Sequence, residues 1–185
     1  MKPEINGGNS GVNKFNLTKH IHTRHKGRQM VTIEKLTNLS AEAVLKVTLA
    51  EEQVKFAGTA ADFLADGSDT IHLHVIKFDD DVVGFFKIDV MYSLSNELGI
   101  ENCIGLRAFA IDVNQQGKGL GSASVKALFP YLKQNYSSYG SIYLTVNCKN
   151  PGARICYQKG GFEDSGEKYL GGAAGPQYIM HGKIA

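Results

Sequence analysis

Between Cys103 and Asn135 the chain passes from an apolar strand, "CIGLRAFAID", to an amphipathic helix through one glycine-rich corner, Gln116-Gly117-Lys118-Gly119-Leu120-Gly121. Glycine is costly inside regular structure, so three at alternate positions require a reason. The helix that follows carries Leu120, Ala123, Ala127, Leu128, Tyr131 and Leu132 on one stripe, and Pro130 is expected to kink or weaken it. A strand that runs through glycines into a helix points several backbone N–H groups out of a helix N-terminus, where the peptide dipoles favour an anion. The corner therefore reads either as a phosphate seat or as a tight packing turn.

Two common phosphate seats do not fit it. The P-loop needs a Gly-Lys followed by Ser or Thr, which this corner lacks. The dinucleotide fingerprint GxGxxG fails as well, because its third glycine falls on Ser122 or on Ser124. That fingerprint also normally follows the first strand of a fold, whereas several elements precede this corner.

Upstream, "MVTIEKL" (30–36) alternates like a half-buried strand. Asn38 and Ser40 offer caps to a helix through "AEAVLKVTLAEEQ", and a second helix fits "AADFLA". "TIHLHVIKF" (70–78), the turn Asp79–Asp81 and "VVGFFKIDVMY" (82–92) make a hairpin. "SLSNELGIEN" is a polar connection to the strand that leads to the corner. Downstream come a strand at 141–147, a helix at 151–159 that starts on proline and ends at Gly160-Gly161, a short strand from Phe162, and a last strand at 176–184. The order β-α-α-β-β-β-α-β-α-β-β is that of a mixed α/β fold, with strand–helix–strand units parallel and right-handed. No apolar run approaches the roughly 18–20 residues of a membrane span.

Charge divides the chain. Residues 1–29 hold six basic residues against Glu4, a net +5, leaving 14 basic and 17 acidic residues and a net −3 for 30–185. The first segment is read as a basic, mobile extension and 30–185 as the folded domain. Nucleic-acid binding by the extension is not expected, because its charge is modest and Phe15 is the one Phe, Tyr or Trp within it. His20, His22 and His25 lie in it, and His72 and His74 share a strand face; both groups are read without a metal. Cys103, Cys148 and Cys156 are odd in number and show no CxxC spacing, as for reduced thiols in a cytoplasmic protein.

Gln116-x-x-Gly119-x-Gly121 resembles the (Arg/Gln)-x-x-Gly-x-(Gly/Ala) acyl-CoA motif of the GNAT superfamily of N-acyltransferases. "NPGARICYQKGGF" resembles the family's second signature, matching at Asn150, Ala153, Tyr157, Gly161 and Phe162. The element order read above is also that of this family, so the resemblance covers about 30–185. It implies a splay between the strands at 106–112 and 141–147 that receives the pantetheine arm of acetyl-CoA. The arm would bond the backbone of Phe109, Ala110 and Ile111. The pyrophosphate would sit on the amides from Gln116 through Gly117, Lys118, Gly119, Leu120 and Gly121 to Ser122. Tyr157 matches the position of the acid that protonates the leaving thiolate. Asn150 is implied as a helix cap that reaches the cofactor, and Asn147 as a partner of the pantetheine arm.

The resemblance implies direct acetyl transfer to a primary amine, with a small molecule favoured. A protein lysine or N-terminus as acceptor, and a non-catalytic acyl-CoA sensor, are the alternatives. "LAEEQVKFAG" and "DDDVVGFFKID" resemble segments of bacterial diamine and polyamine acetyltransferases. Many of those relatives carry a carboxylate where Arg107 and Ala108 stand here. Arginine cannot serve as a base at neutral pH, so Asp89, Glu97, Glu101 or a water chain is left for that role, and Arg107 is free to bind an acidic group on the acceptor. Cys156 is read as a structural thiol. A homodimer is left open.

Overall fold

The computed structural model describes residues 30–95 and 99–184; the expected extension at 1–29 and Glu97 lie outside them. Seven strands form one sheet: β1 (Val31–Lys35), β2 (Ile71–Phe78), β3 (Asp81–Asp89), β4 (Cys103–Ile111), β5 (Ser141–Asn147), β6 (Glu163–Tyr169) and β7 (Gln177–Lys183). Their spatial order is β1-β2-β3-β4-β5-β7-β6. Only β4 and β5 are parallel neighbours, as the helix between them requires. The last strand inserts between β5 and β6 instead of closing an edge.

Helices cover both faces. On one lie α1 (Asn38–Val44), α2 (Glu51–Ala57) and α3 (Ala60–Ala65), over Val75, Phe85 and Ala110. A one-turn helix, α4 (Tyr92–Ser95), occupies the connection before β4. The other face carries α5 (Leu120–Asn135) and α6 (Pro151–Gly160), over Ile76, Phe86, Ile88, Ile104 and Ile142. α5 runs unbroken past Pro130, because Val125, Leu128 and Leu132 are fully buried on either side of it and packing outweighs the lost bond. α5 and α6 pack closely at Gly160, where a Cβ would lie 2.1 Å from Val125 Cγ1.

The hairpin turn expected over Asp79–Asp81 is one residue shorter, since Asp81 already pairs with Phe78; Asp79 and Asp80 both take positive φ (50° and 72°), as a two-residue turn between twisted strands demands. The single helix expected over 41–53 is instead two. Thr48 leaves the helical path because its N–H donates to Asp112 Oδ2 (2.9 Å) and its carbonyl accepts from the Val113 N–H (2.8 Å). That contact across 64 residues fixes the break and places α2 against the end of β4.

His72 and His74 do share a face, and a helix end lies on it. His74 is fully buried and stacks on Phe86 at 4.9 Å. Its Nδ1 donates to the His72 carbonyl (3.1 Å), and its Nε2 faces the Tyr136 hydroxyl (3.2 Å). Among the described residues no group of three or more His, Cys, Asp and Glu could hold a metal. Burial drives the His74 pKa down from 6.5 to about 3, so the unfolded chain takes up this proton before the folded one. Stability should therefore rise with pH between about 3 and 6.5, and fall in acid by up to about 1.4 kcal/mol per pH unit from this group. Urea unfolding at pH 7 and pH 5 should show a smaller loss in His74→Phe than in the wild type. Equal losses would remove His74 as the cause.

Candidate active site

β4 and β5 pair only at their beginnings, Cys103–Gly105 against Ser141–Tyr143. Beyond Gly105 they separate. The cause lies on the other edge of β4, where Ala108 and Phe109 together oppose Phe86 between the pairs Arg107↔Lys87 and Ala110↔Phe85. Ala108 takes φ 52°, so this extra residue is a bulge, and bulges bend and twist the strand that carries them. A cavity of about 790 Å³ opens in the gap. Leu106, Phe109 and Ile111 line it from β4, and Thr145, Val146 and Asn147 from β5.

The glycine corner forms one end of the lining. Asp112 Oδ1 caps a 3-10 turn at Val113–Gln115 by accepting the Asn114 N–H (2.7 Å). Gly117 (φ 74°) and Gly119 (φ 77°) then turn the chain into α5, with Gly119 as its N-cap. Nothing lies within 4 Å of where a Cβ on Gly117 or Gly119 would stand. Packing alone therefore does not require these glycines; the left-handed backbone does. The Ala123 N–H bonds the Gly119 carbonyl (3.1 Å), and the amides ahead of it have no acceptor within the helix.

Of the residues singled out in the sequence, Phe109, Ile111, Gln116, Gly117, Gly119, Leu120, Gly121, Ser122, Asn147, Asn150 and Tyr157 all line this cavity. Ala110 and Lys118 do not. Ala110 is buried toward α1–α3, and Lys118 Nζ donates to the Asn114 carbonyl and to Gln115 Oε1 (2.9 and 3.0 Å). Gln116 braces the corner, donating to the Ile111 carbonyl (2.9 Å) and to Gln53 Oε1 (2.7 Å). Asn150 caps α6 by accepting the Ala153 N–H (3.1 Å). Asn147 accepts the Lys149 N–H (2.9 Å) and donates to the Ala174 carbonyl (3.0 Å).

Tyr157 sits on α6 with its ring edge-on to both Phe109 and Phe162, each 5.8 Å away. Burial holds its hydroxyl well above the ordinary tyrosine range, so it is protonated at any working pH. Cys156, read as structural, is half-buried and lines the cavity beneath Gly121, where a Cβ would come within 3.0 Å of its Sγ. Burial raises the thiol pKa, against the opposing effects of the Ser122 hydrogen bond and Lys159. The group is accordingly a neutral wall rather than a nucleophile.

Away from the corner, Gln53, Phe56, Tyr92, Arg107, Tyr169 and Gln177 also line the cavity. Gln53 and Phe56 lie in the quoted segment "LAEEQVKFAG", but Tyr92, Tyr169 and Gln177 had no motif to mark them, since they come from α4, β6 and β7, far apart in sequence. Arg107 Nε and Nη2 both donate to Asp89 Oδ2 (2.8 and 2.7 Å). Asp89 is buried under that pair and Glu101 is exposed at the start of the strand; neither lines the cavity.

A model of the acetyltransferase (GNAT) family matches residues 34–162. The chain is 30% identical over 142 residues to the spermine/spermidine N(1)-acetyltransferase of Bacillus subtilis (strain 168), covering 74% of this chain and 90% of that protein. Among solved structures it resembles an aminoglycoside acetyltransferase in complex with coenzyme A and kanamycin, at TM-score 0.63 and 22% identity, over 83% of this chain and 94% of that one. The spermidine N-acetyltransferase of Vibrio cholerae in complex with coenzyme A and spermine aligns at TM-score 0.62 and 15% identity, over 84% and 96%. The chain belongs to the GNAT acetyltransferase family. It is an acetyl-CoA-dependent N-acetyltransferase.

Proposed function

We propose that the acceptor is a small-molecule primary amine and that acetyl transfer is direct, within the gap between β4 and β5. One observation carries the reading: the glycine corner and Tyr157 open on the same cavity. The amides from Gln116 to Ser122 would receive the pyrophosphate and the backbone of Phe109–Ile111 the pantetheine arm. Lys118 would add its charge only by leaving Asn114 and Gln115, so the amides do most of the binding. Asn150, whose oxygen caps α6, would meet the cofactor through its NH2 group.

The amine nitrogen attacks the thioester carbonyl, the C–N bond forms and the C–S bond breaks. Tyr157 gives its proton to the departing sulfur. Among the described residues no carboxylate lines the cavity, and Glu97 lies outside them; we assign the amine's proton to a water chain leading to bulk solvent, with Glu97 as the alternative acceptor. The three cysteines are free, which suits the reducing cytoplasm.

The test is coenzyme A release from acetyl-CoA with a panel of small amines and with a lysine peptide. The relatives' names put spermine and spermidine on that panel, and putrescine serves as a shorter diamine. Release with small amines and not with the peptide is expected. Release with the peptide alone would overturn the small-molecule acceptor, and acetyl-CoA binding without release on any acceptor would leave a sensor.

A further inference from the structure

We infer that the acceptor carries a carboxylate near its amine and that Arg107 receives it. This rests on the small-molecule reading above and names the class of amine. Among the described residues lining the cavity, Arg107 is the one charged side chain. A polycationic acceptor would bring two or more ammonium groups against described residues that offer no carboxylate, and an ammonium that leaves water unpaired is heavily penalised.

Arg107 is held as a receiving group would be. Asp89 grips it through Nε and Nη2 (2.8 and 2.7 Å), and the Tyr92 ring centroid lies 5.3 Å from the guanidinium carbon. The second oxygen of Asp89 accepts the Met91 N–H (3.0 Å), and its side chain is only 7% exposed. Asp89 thus orients the guanidinium from behind and offers the cavity no charge of its own. The Arg107 side chain is 46% exposed, and its Nη1 makes no hydrogen bond among the described residues. An arginine edge fixed in this way matches a carboxylate without further loss of side-chain freedom. With Asp89 already sharing the charge, it suits a monoanion better than a dianionic phosphate. Phe56 and Tyr169 supply apolar lining for the rest of such a molecule.

The wild-type protein tests this directly. Coenzyme A release would be measured with L-phenylalanine, L-methionine and glycine, with their methyl esters, and with putrescine and spermidine. The acids should exceed their esters in kcat/KM by about tenfold or more, the scale of one charged hydrogen bond. This is expected even though esterification leaves more of the amine unprotonated. Esters equal to or better than the acids, or a preference for the diamine and triamine, would overturn the inference while leaving a small-amine acetyltransferase. Release with a lysine peptide alone would remove the small-molecule reading and the inference with it. In Arg107→Gln the acid-to-ester ratio should fall toward one. Damage to the fold alone would slow acid and ester alike, so an unchanged ratio in the variant would remove Arg107 as the receiver. The wild-type panel decides the acceptor class even if that variant does not fold.

Discussion

Tyr157→Phe should lower kcat by about a hundredfold or more, the usual contribution of a positioned proton donor, and leave the affinity for acetyl-CoA nearly unchanged. The substitution keeps the ring and its edge-on contacts with Phe109 and Phe162, so only the hydroxyl is lost. Burial makes that hydroxyl a weak acid, which ensures that it arrives at the reaction with its proton. Stopped-flow or steady-state turnover, paired with acetyl-CoA titration, checks both halves of the expectation. Turnover equal to wild type would take Tyr157 out of the acid role. A large loss of affinity would show that its hydroxyl mainly binds.

Gly119→Val should weaken acetyl-CoA binding by at least about tenfold, because two penalties act together. The position has φ 77°, and a β-branched residue is a genuine outlier there. The left-handed conformation alone costs about 1–2 kcal/mol for a residue with a Cβ, close to a factor of ten in binding if the corner relaxes. A valine that does hold the conformation projects its methyls into the open space beside the corner, where a phosphate would approach. Gly119→Ala separates the effects, since it keeps most of the backbone strain and adds little bulk. Calorimetric titration with acetyl-CoA at matched thermal stability is the measurement, and unchanged affinity in the valine variant would sink the assignment of the corner to the pyrophosphate.

Local chemistry was legible in the sequence wherever it was written in consecutive residues. The corner forms as a strand, two left-handed glycines and a helix, because glycine alone satisfies that backbone. The place of the hairpin turn, read as Asp79–Asp81 and formed by Asp79 and Asp80, and the Asn150-Pro151 start of α6 were readable for the same reason: a turn or cap is set by its own few side chains. The break of the first helix at Thr48 was not readable, since helical propensity continues through it and only the distant Asp112 interrupts it. The burial of His74 was also hidden, because strand alternation marks a face without saying what covers it, and the cover is the far end of α5.

The sequence by itself determined the order of the seven strands, the glycine corner and the family, each through short-range pattern or motif. Tertiary structure decided what lies opposite that corner. The bulge at Ala108–Phe109 exists only in the pairing of β4 with β3, and it is the bulge that parts β4 from β5. Asp89, offered by the sequence among the candidate bases, is tied behind Arg107 by a strand pairing that brings residues 18 positions apart together. An ion pair across strands depends on register, which no local stretch of sequence encodes.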